Sequence, residues 1–329
     1  MSKTESEAKQ QQPNLHFFFL AHHDFDHCSE KLLPEMTSRN VVFMETVNLE
    51  GNSRQQTEAL INLVLALPET LDAEQQRLQE KLIKELSVSK NFVSQFVYHL
   101  ARTGKRFFFI DIDPGHPDFQ LAEKSCDLLG LVIKSFKEGD LAQAEASHRE
   151  YVAIRAKFHE ARENEVKLQI DRTVAHLQKE ALAIRAAVIQ GAIHQPTAGL
   201  FDRESYETEV SVLSGDITLE GQLWLKKRLG QEPTPVEYRR ALLVLMLIEN
   251  CDLEPGFNLA ADRELTILVN KLPDNLLNAA FSQFELTYRQ NLAQLTKRRR
   301  LTPSEKAMFA PAAFALTIES LLKTIRRWV

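Results

Sequence analysis

The sequence predicts an α/β protein: a mostly parallel sheet of about five strands with helices on both faces, followed by an all-helical C-terminal extension. Short apolar runs alternate with helical patterns up to about residue 215. Strands that are separated by helices favour a parallel sheet with right-handed crossovers. Beyond residue 216 only helical patterns remain. The 329 residues, of which 44% are hydrophobic and 26% charged, are enough for one large or two ordinary domains.

Each predicted strand is a short run of β-branched, aromatic or aliphatic residues. The last of them alternates between apolar and polar residues, as the half-exposed edge of a sheet does. The predicted strands are HFFFLAH (16–22), NVVFMETV (40–47), KRFFFIDID (105–113), RAAVIQ (185–190) and YETEVSVL (206–213).

The helices are predicted from apolar residues that recur with the helical period and from capping residues and prolines at their starts. In the first part of the chain they cover 27–36, two stretches between 49 and 101, 117–130 and 137–182. In the C-terminal part they cover 219–229, 234–250, 258–271, 273–297 and 302–327. We therefore expect a disordered tail (1–14), an α/β domain (15–215) and a helical extension or cap (216–329).

Composition argues against several classes of function. A net charge of −5 gives no general attraction to nucleic acid or acidic lipid. The three cysteines are far apart and odd in number, which favours a reducing compartment. There is no 18-residue apolar stretch, no signal-peptide pattern, and no phosphate-loop or dinucleotide motif. We expect a cytoplasmic protein with a small-molecule or peptide substrate and with no membrane or nucleic-acid partner; the sequence leaves the oligomeric state open.

Polar residues follow three of the predicted strands, and a long helix carries two more. His22 and His23 end the first strand, Glu45 ends the second, and GAIH (191–194) follows the fourth. Because parallel strands present their carboxyl ends at one edge of a sheet, these residues can form one site. The histidines and the carboxylate suit a metal ion, activation of water or both. Each residue also has an ordinary interpretation, as a turn or cap residue or a solvent-facing strand end.

The helix residues Arg162 and Glu163 lie in a segment crowded with charge, KFHEARENEVK (157–167). On a solvated helix face such residues form ion pairs with neighbours one turn away. If the helix covers the carboxyl ends of the strands, Arg162 instead brings a cation to the site. The two aspartates that follow the third strand, Asp111 and Asp113, also allow two interpretations, as site residues or as the start of a turn at Pro114-Gly115.

Four of these segments together resemble the EreA/ChaN-like and TraB/TIKI superfamily over about residues 15–215. LAHH (20–23) resembles the family's first GxxH motif and MET (44–46) its strand-end glutamate. RENEVK (162–167) resembles RExxMA, and GAIH (191–194) matches the second GxxH in full. The first motif departs from the family pattern, since Leu20 replaces its glycine and Ala21 the glutamate of GExH members.

We predict a hydrolase whose catalytic residues are His23, Glu45, Arg162 and His194, the positions that match the family's motifs, because together they supply a base, an orienting carboxylate and a partner for an oxyanion. In that interpretation His23 and His194, oriented by Glu45, hold a metal or activate water directly, and Arg162 stabilises developing negative charge. The ligands of a divalent metal would be His22, His23, Glu45 and His194. Family members include macrolide esterases, metal-dependent proteases, a haem-binding lipoprotein and a toxin domain, so the resemblance implies the fold more strongly than the activity. For a hydrolase, the sequence leaves an ester, an amide or a peptide open as the substrate.

Two other functions fit the same residues. The first is a binding protein without catalysis, which holds haem, a metal or a small molecule; loss of the first-motif glutamate favours it. The second is an interaction protein that kept the fold and binds a partner through the basic clusters at 297–300 and 326–328.

Overall fold

The computed structural model describes residues 12–20, 25–45, 74, 77, 105–113, 115–180, 182–213, 217–249, 259–297 and 302–329. Within them five strands form one sheet, and all of its pairings are parallel. The order across the sheet is β3-β2-β4-β1-β5. The strands are β1 (Asn14–Leu20), β2 (Val41–Glu45), β3 (Arg106–Ile110), β4 (Arg185–Gly191) and β5 (Glu207–Val212). The predicted fold class is confirmed, and β5 is an edge strand as its alternation predicts.

The first strand begins two residues earlier than predicted, inside the segment that was expected to be a disordered tail. Asn14 pairs through its backbone with Arg185 of β4 and Glu207 of β5. Its side chain also donates to Glu209, with 3.0 Å between Nδ2 and Oε1, and accepts a hydrogen bond from Arg39. These bonds give a polar residue a fixed place at the start of a strand that is otherwise apolar.

Helices cover both faces of the sheet. On one face α1 (Phe25–Met36) packs Leu32 and Met36 against alternate residues of the strands. On the other face the C-terminal part of a long helix, α3 (Leu141–Lys179), supplies Val166, Ile170, Val174 and Leu177. These α3 residues pack against Phe17, Phe19, Val41, Phe43, Ala186 and Val188. The period-2 alternation of the strands thus sorts their side chains between two cores.

The chain divides into two compact units. One holds the described residues of Met1–Pro117 and His159–Asp216, and the other those of Asp118–Phe158 and Ile217–Val329. The division differs from the predicted boundary near 216, because residues 118–158 group with the C-terminal helices. The helix α3 therefore contributes its first half to one unit and its second half to the other.

The described residues of the second unit form helices and the turns between them, with no strand. Besides α2 (Gln120–Glu138) and the start of α3 it contains α4 (Leu219–Arg228), α5 (Pro235–Ile248), α6 (Leu259–Asn270), α7 (Asp274–Thr296), α8 (Pro303–Ala307) and α9 (Ala310–Trp328). Its core includes Phe136, Leu243, Phe284 and Ile318. A capping box between Thr234 and Glu237 begins α5, one residue after its predicted start. No helix in the described part of the chain is long and apolar enough to cross a membrane.

Gly139 separates α2 from α3; the sequence predicted two helices here (117–130 and 137–182), with the break between them earlier in the chain than the structure has it. Its φ of 76° is left-handed, and its N–H donates to the carbonyl of Phe136. A Cβ at this position would lie 2.3 Å from Cε1 of Tyr288, whose hydroxyl donates to the Lys137 carbonyl at 2.8 Å. Only glycine fits both the conformation and the space. The helices predicted between 49 and 101 lie outside the described residues, except that Glu74 and Arg77 are helical.

Candidate active site

Buried polar residues gather at the carboxyl ends of β2, β3 and β4, on the face of the sheet that α3 covers. Glu45 is the last residue of β2 and continues the row of Val41 and Phe43 that faces α3. Asp111 follows β3 directly and is 6% exposed. A 3₁₀ helix (Ala192–Leu200) follows β4 and carries His194, which is 2% exposed. The carboxyl edge of a parallel sheet is where such folds place ligands.

A single stripe of α3 explains how helix residues enter this site. The buried positions His159, Glu163, Val166, Ile170, Val174 and Leu177 recur every three or four residues. The last four of them form the apolar contact with the sheet. The first two continue the same stripe past the apolar core, to the end where the strands carry polar residues. Glu163 is 4% and His159 3% exposed, so neither lies on a solvated helix face.

Arg162 joins the two carboxylates at the ends of β2 and β3. Its Nε donates to Oδ1 of Asp111 and its Nη2 to Oδ2, each at 2.8 Å, in a two-point ion pair. The same Nη2 donates to Oε1 of Glu45. Paired hydrogen bonds of this kind fix the plane of a guanidinium and are stronger than single ones. The side chain of Arg162 thereby holds Glu45 in one position.

In both Arg162 and Asp111, burial and ion pairing shift the pKa in opposite directions. Burial by itself would lower the pKa of Arg162, but the charges of Asp111 and Glu45 and their hydrogen bonds raise it above its ordinary value. Burial raises the pKa of Asp111, and the charge of Arg162 opposes that shift. Arg162 therefore stays charged, while the desolvated Asp111 carboxylate depends on the guanidinium for its stability.

Gln169, two turns further along α3, fixes the backbone at the end of β3. Its Oε1 accepts from the N–H of Asp111 at 3.2 Å, and its Nε2 donates to the carbonyl of the same residue at 2.8 Å. Asp111 follows β3, which lies at the edge of the sheet, and the side-chain amide of Gln169 hydrogen-bonds the backbone of Asp111 as a neighbouring strand would. Nε2 also donates to Glu165 at 2.9 Å. The position of Asp111, and through it that of Arg162, is set by this amide.

Glu45 and His194 are in direct contact. Nε2 of His194 lies 3.2 Å from Oε1 of Glu45, and Oε2 of Glu45 accepts the backbone N–H of Gly191 at 2.9 Å. A Cβ at Gly191 would lie 3.6 Å from Oε2 of Glu45 and 3.7 Å from Cδ2 of His194, so the backbone passes close beside both residues. The glycine of the GAIH segment thus contributes its N–H as well as its small size.

The other nitrogen of His194 faces a second carboxylate. Nδ1 lies 3.1 Å from Oε1 of Glu163. A neutral imidazole donates from only one of its nitrogens, whereas two carboxylates offer acceptors at both. A carboxyl oxygen, of Glu163 or of Glu45, therefore lies at hydrogen-bond distance from each nitrogen of the His194 ring. The ring of His159 lies beside it, with 5.1 Å between the centroids and 58° between the planes.

Two buried oxygens near His194 have no hydrogen-bond partner among the residues that the structure describes. They are Oε1 of Gln190, on β4, and Oγ1 of Thr197, on the 3₁₀ helix. The side chains are 2% and 0% exposed. Buried polar atoms are nearly always hydrogen-bonded, so such atoms in a site indicate a missing donor.

The structure brings Glu45, Arg162 and His194 together, as the sequence predicts; their catalytic roles stay predictions. His22 and His23 lie outside the described residues. Asp113, the alternative to Asp111, is exposed, and its carbonyl accepts the His116 N–H at 2.9 Å, as in a turn.

Three residues of the site have no predicted catalytic or metal-binding role, although the first of them was among the candidate polar residues. They are Glu163, His159 and Gln169. The apolar stripe of α3, followed towards its N-terminal end, points to the first two. No local pattern indicates the third, because its partner is the backbone of Asp111, far away in the sequence.

The predicted metal ligands fit the described residues only in part. Within the described ranges no group of three or more histidine, cysteine or acidic side chains is placed to hold a metal ion. Both nitrogens of His194 face carboxylates at hydrogen-bond distance rather than converging with them on one point. A metal site therefore stays a prediction, and two of its predicted ligands, His22 and His23, lie outside the described residues.

No protein-family model, curated protein or solved structure matches this chain. The resemblance to the EreA/ChaN-like and TraB/TIKI superfamily therefore rests only on the four motifs at 20–23, 44–46, 162–167 and 191–194.

Proposed function

We propose that the chain is a hydrolase that cleaves an ester, amide or peptide bond at the Glu45–His194 site. The observation that carries the proposal is the imidazole of His194 between two buried carboxylates, Glu163 on Nδ1 and Glu45 on Nε2. An imidazole with an acidic partner on one nitrogen is oriented to exchange a proton through the other. The resemblance of the segments to the EreA/ChaN-like and TraB/TIKI superfamily supports the same class of reaction.

In this proposal the Glu45–His194 pair takes a proton from water as the water oxygen attacks the substrate carbonyl carbon. The proton then passes to the leaving group as its bond to carbon breaks. Glu163 keeps the ring of His194 in one orientation and stabilises its charged form. Arg162 uses Nε and Nη2 for the two carboxylates, so its first task is to position Glu45. Its positive charge also favours a developing oxyanion nearby.

The test is a screen of the purified full-length protein against chromogenic esters, anilides and fluorogenic peptides, with a variant and a control. His194→Asn removes the proton carrier, and general acid–base catalysis contributes about 10²–10⁴-fold, so we expect a loss of that size. His176→Asn changes a histidine of α3 whose side chain is 72% exposed, and should keep full activity. Hydrolysis by the wild type that is no faster than that of His194→Asn contradicts the proposal.

A second candidate function is the binding of a divalent metal, haem or a small molecule without catalysis. One observation favours the metal: among the described residues of the site, Glu45, Asp111 and Glu163 are buried carboxylates, and the Arg162 guanidinium pairs with the first two of them. An excess of buried negative charge is stabilised by a further cation, which can be a proton on His194 or a metal ion.

Elemental analysis and a visible spectrum of the purified protein separate the two candidates. Metal or haem in stoichiometric amount that disappears in His23→Ala with His194→Ala supports binding at this site. Hydrolysis that persists after chelation supports the metal-free reaction. We also propose a cytoplasmic location, because the cysteines are few and scattered.

A further inference from the structure

The strand register places Gln190 directly beside Glu45. Val41 pairs with Ala186, and the pairing continues in step to Met44 and Ile189. Glu45 and Gln190 are the next positions of the two strands, so they are neighbours in the last row of the sheet. Adjacent strands are about 4.8 Å apart, and the side chains of one row point to the same face. Gln190 therefore faces α3 next to the Glu45–His194 pair.

The last row supplies no donor for the buried oxygen of Gln190. On its other side the register pairs Gln190 with Phe19, a hydrocarbon ring. Glu45 is a carboxylate that accepts hydrogen bonds from Arg162 and Gly191. A buried acceptor without a donor is costly, and the cost is removed when a bound molecule supplies the hydrogen. Oε1 of Gln190 has no partner among the described residues, and a bound ligand can supply the donor.

We propose that Gln190 is a specificity-determining residue whose side-chain oxygen accepts a hydrogen bond from an amide N–H of the substrate. This inference rests on the proposed hydrolytic site and narrows its substrate class from esters, amides and peptides to amides and peptides. An ester of the same shape lacks the N–H and leaves the Gln190 oxygen unpaired. A site that is built to hydrogen-bond a substrate group rejects the analogue without it far more strongly than an apolar pocket does.

A surface cavity of this unit does not require a ligand in the same way. A surface cavity of about 410 Å³ is lined by Lys167, Asp171, Asp202 and Tyr206, among others. Its carboxylates already accept hydrogen bonds from within the protein: Asp171 from Lys167 and Tyr206, and Asp202 from Ser205 and the Glu204 N–H.

The experiment compares two small probes that differ in this one group, N-methylacetamide and methyl acetate. Each is titrated by NMR into the full-length protein, as wild type, Gln190→Leu and Gln190→Met. Leucine and methionine keep the size of the side chain and remove the acceptor, so at least one of them should fold normally. Gln178→Leu, a half-buried glutamine on α3 that lines the surface cavity, is the matched control.

We expect the wild type and Gln178→Leu to bind the amide at least about 10-fold more tightly than the ester, since a lost buried hydrogen bond costs roughly that factor. In the Gln190 variants the ratio should fall to about one. Equal affinities in the wild type, a ratio that survives in the Gln190 variants, or no saturable binding of N-methylacetamide overturns the inference. An amide preference without turnover of any substrate rejects the hydrolase alone, and ester hydrolysis without an amide preference rejects the Gln190 role alone.

Discussion

Nδ1 of His194 lies 3.1 Å from Oε1 of Glu163, and both side chains are almost completely buried. The contact joins a 3₁₀ helix that follows β4 to the end of the α3 stripe that otherwise packs on the sheet. A carboxylate on one imidazole nitrogen fixes the orientation of the ring and leaves the other nitrogen, which here faces Glu45, to exchange protons.

The first prediction concerns this contact. Glu163→Gln keeps the size of the side chain but removes its charge, so we expect the rate of hydrolysis to fall about 10–100-fold, as it does for groups that orient a reacting histidine in other sites. Glu160→Gln, an exposed residue of the same helix, is the control. The measurement is kcat and KM on the best substrate of the screen. An equal loss of activity in Glu163→Gln and Glu160→Gln would show that the loss comes from removing a charge from α3 and not from the contact of Glu163 with His194.

Arg162 should be essential for stability, whatever the reaction is. Arg162→Met leaves Glu45 and Asp111 buried without their cation, and breaking a buried ion pair by removal of one partner costs about 3–5 kcal/mol. Arg172→Met, on the exposed face of the same helix, should cost far less. Urea unfolding at pH 7 measures both.

A triple variant separates the loss of charge balance from a loss of packing. Arg162→Met together with Glu45→Gln and Asp111→Asn leaves no buried charge in this group, so it should recover much of the lost free energy of unfolding. A triple variant as unstable as Arg162→Met alone would show that the guanidinium acts through packing.

Gly139→Ala should destabilise the helical unit. The left-handed conformation alone costs a residue with a Cβ about 1–2 kcal/mol, and overlap with the Tyr288 ring adds to that cost. Gly130→Ala is the matched control, because it lies in α2, is exposed and has open space around its missing Cβ. That change should stabilise by about 0.5–1 kcal/mol. Thermal unfolding of both variants checks the opposite signs.

The stability of the sheet should fall as the pH drops through 6.5, because of His16. Burial, and next the charge of Arg39, lower the pKa of His16 below its ordinary value of 6.5; Glu209 and Glu35 oppose the shift. Its Nδ1 lies 2.8 Å from Nη2 of Arg39, and its Nε2 lies 2.8 Å from the Ser211 hydroxyl.

The sign follows from the protons bound in each state. Just below pH 6.5 the unfolded chain takes up a proton at His16 and the folded protein does not, so the free energy of unfolding decreases as the pH falls towards the folded pKa. His16→Asn should remove this part of the pH dependence. Urea unfolding at pH 7.5 and 5.5 on both proteins measures it; an identical drop in the two would assign the effect to other groups.

Sequence patterns predicted the five strands, because four of them are mainly apolar runs followed by polar residues and the fifth alternates between apolar and polar residues. The order of the strands across the sheet was not predicted. Glu45 and His194 follow from the ends of the apolar runs. Glu163 could not be assigned to the site from the sequence alone. Charged residues one helical turn away allow ion pairs on a solvated helix face, and these explain its presence equally well. Asp111 and Asp113 were indistinguishable locally, because the choice between them is made by Arg162 and Gln169, more than 50 residues away.

The division of the molecule was harder to predict than its elements. Residues 118–158 read as ordinary crossover helices of the α/β pattern, and nothing in their periodicity says which core they join. Their apolar residues Val132, Phe136 and Val152 pack in the same core as Leu243 and Phe284. Only the tertiary structure shows that residues 118–158 share a hydrophobic core with the C-terminal helices.

This interrupted layout has a consequence for how the chain is made. Every strand of the sheet, together with Arg162, Glu163 and His194, leaves the ribosome before residue 217. The site-bearing unit is therefore complete in sequence while residues 118–158 still lack the C-terminal helices that cover their apolar side chains. During that interval the apolar side chains of residues 118–158 are exposed, and we expect a chaperone to bind this segment. In a protein that ends near residue 216 these side chains would stay exposed.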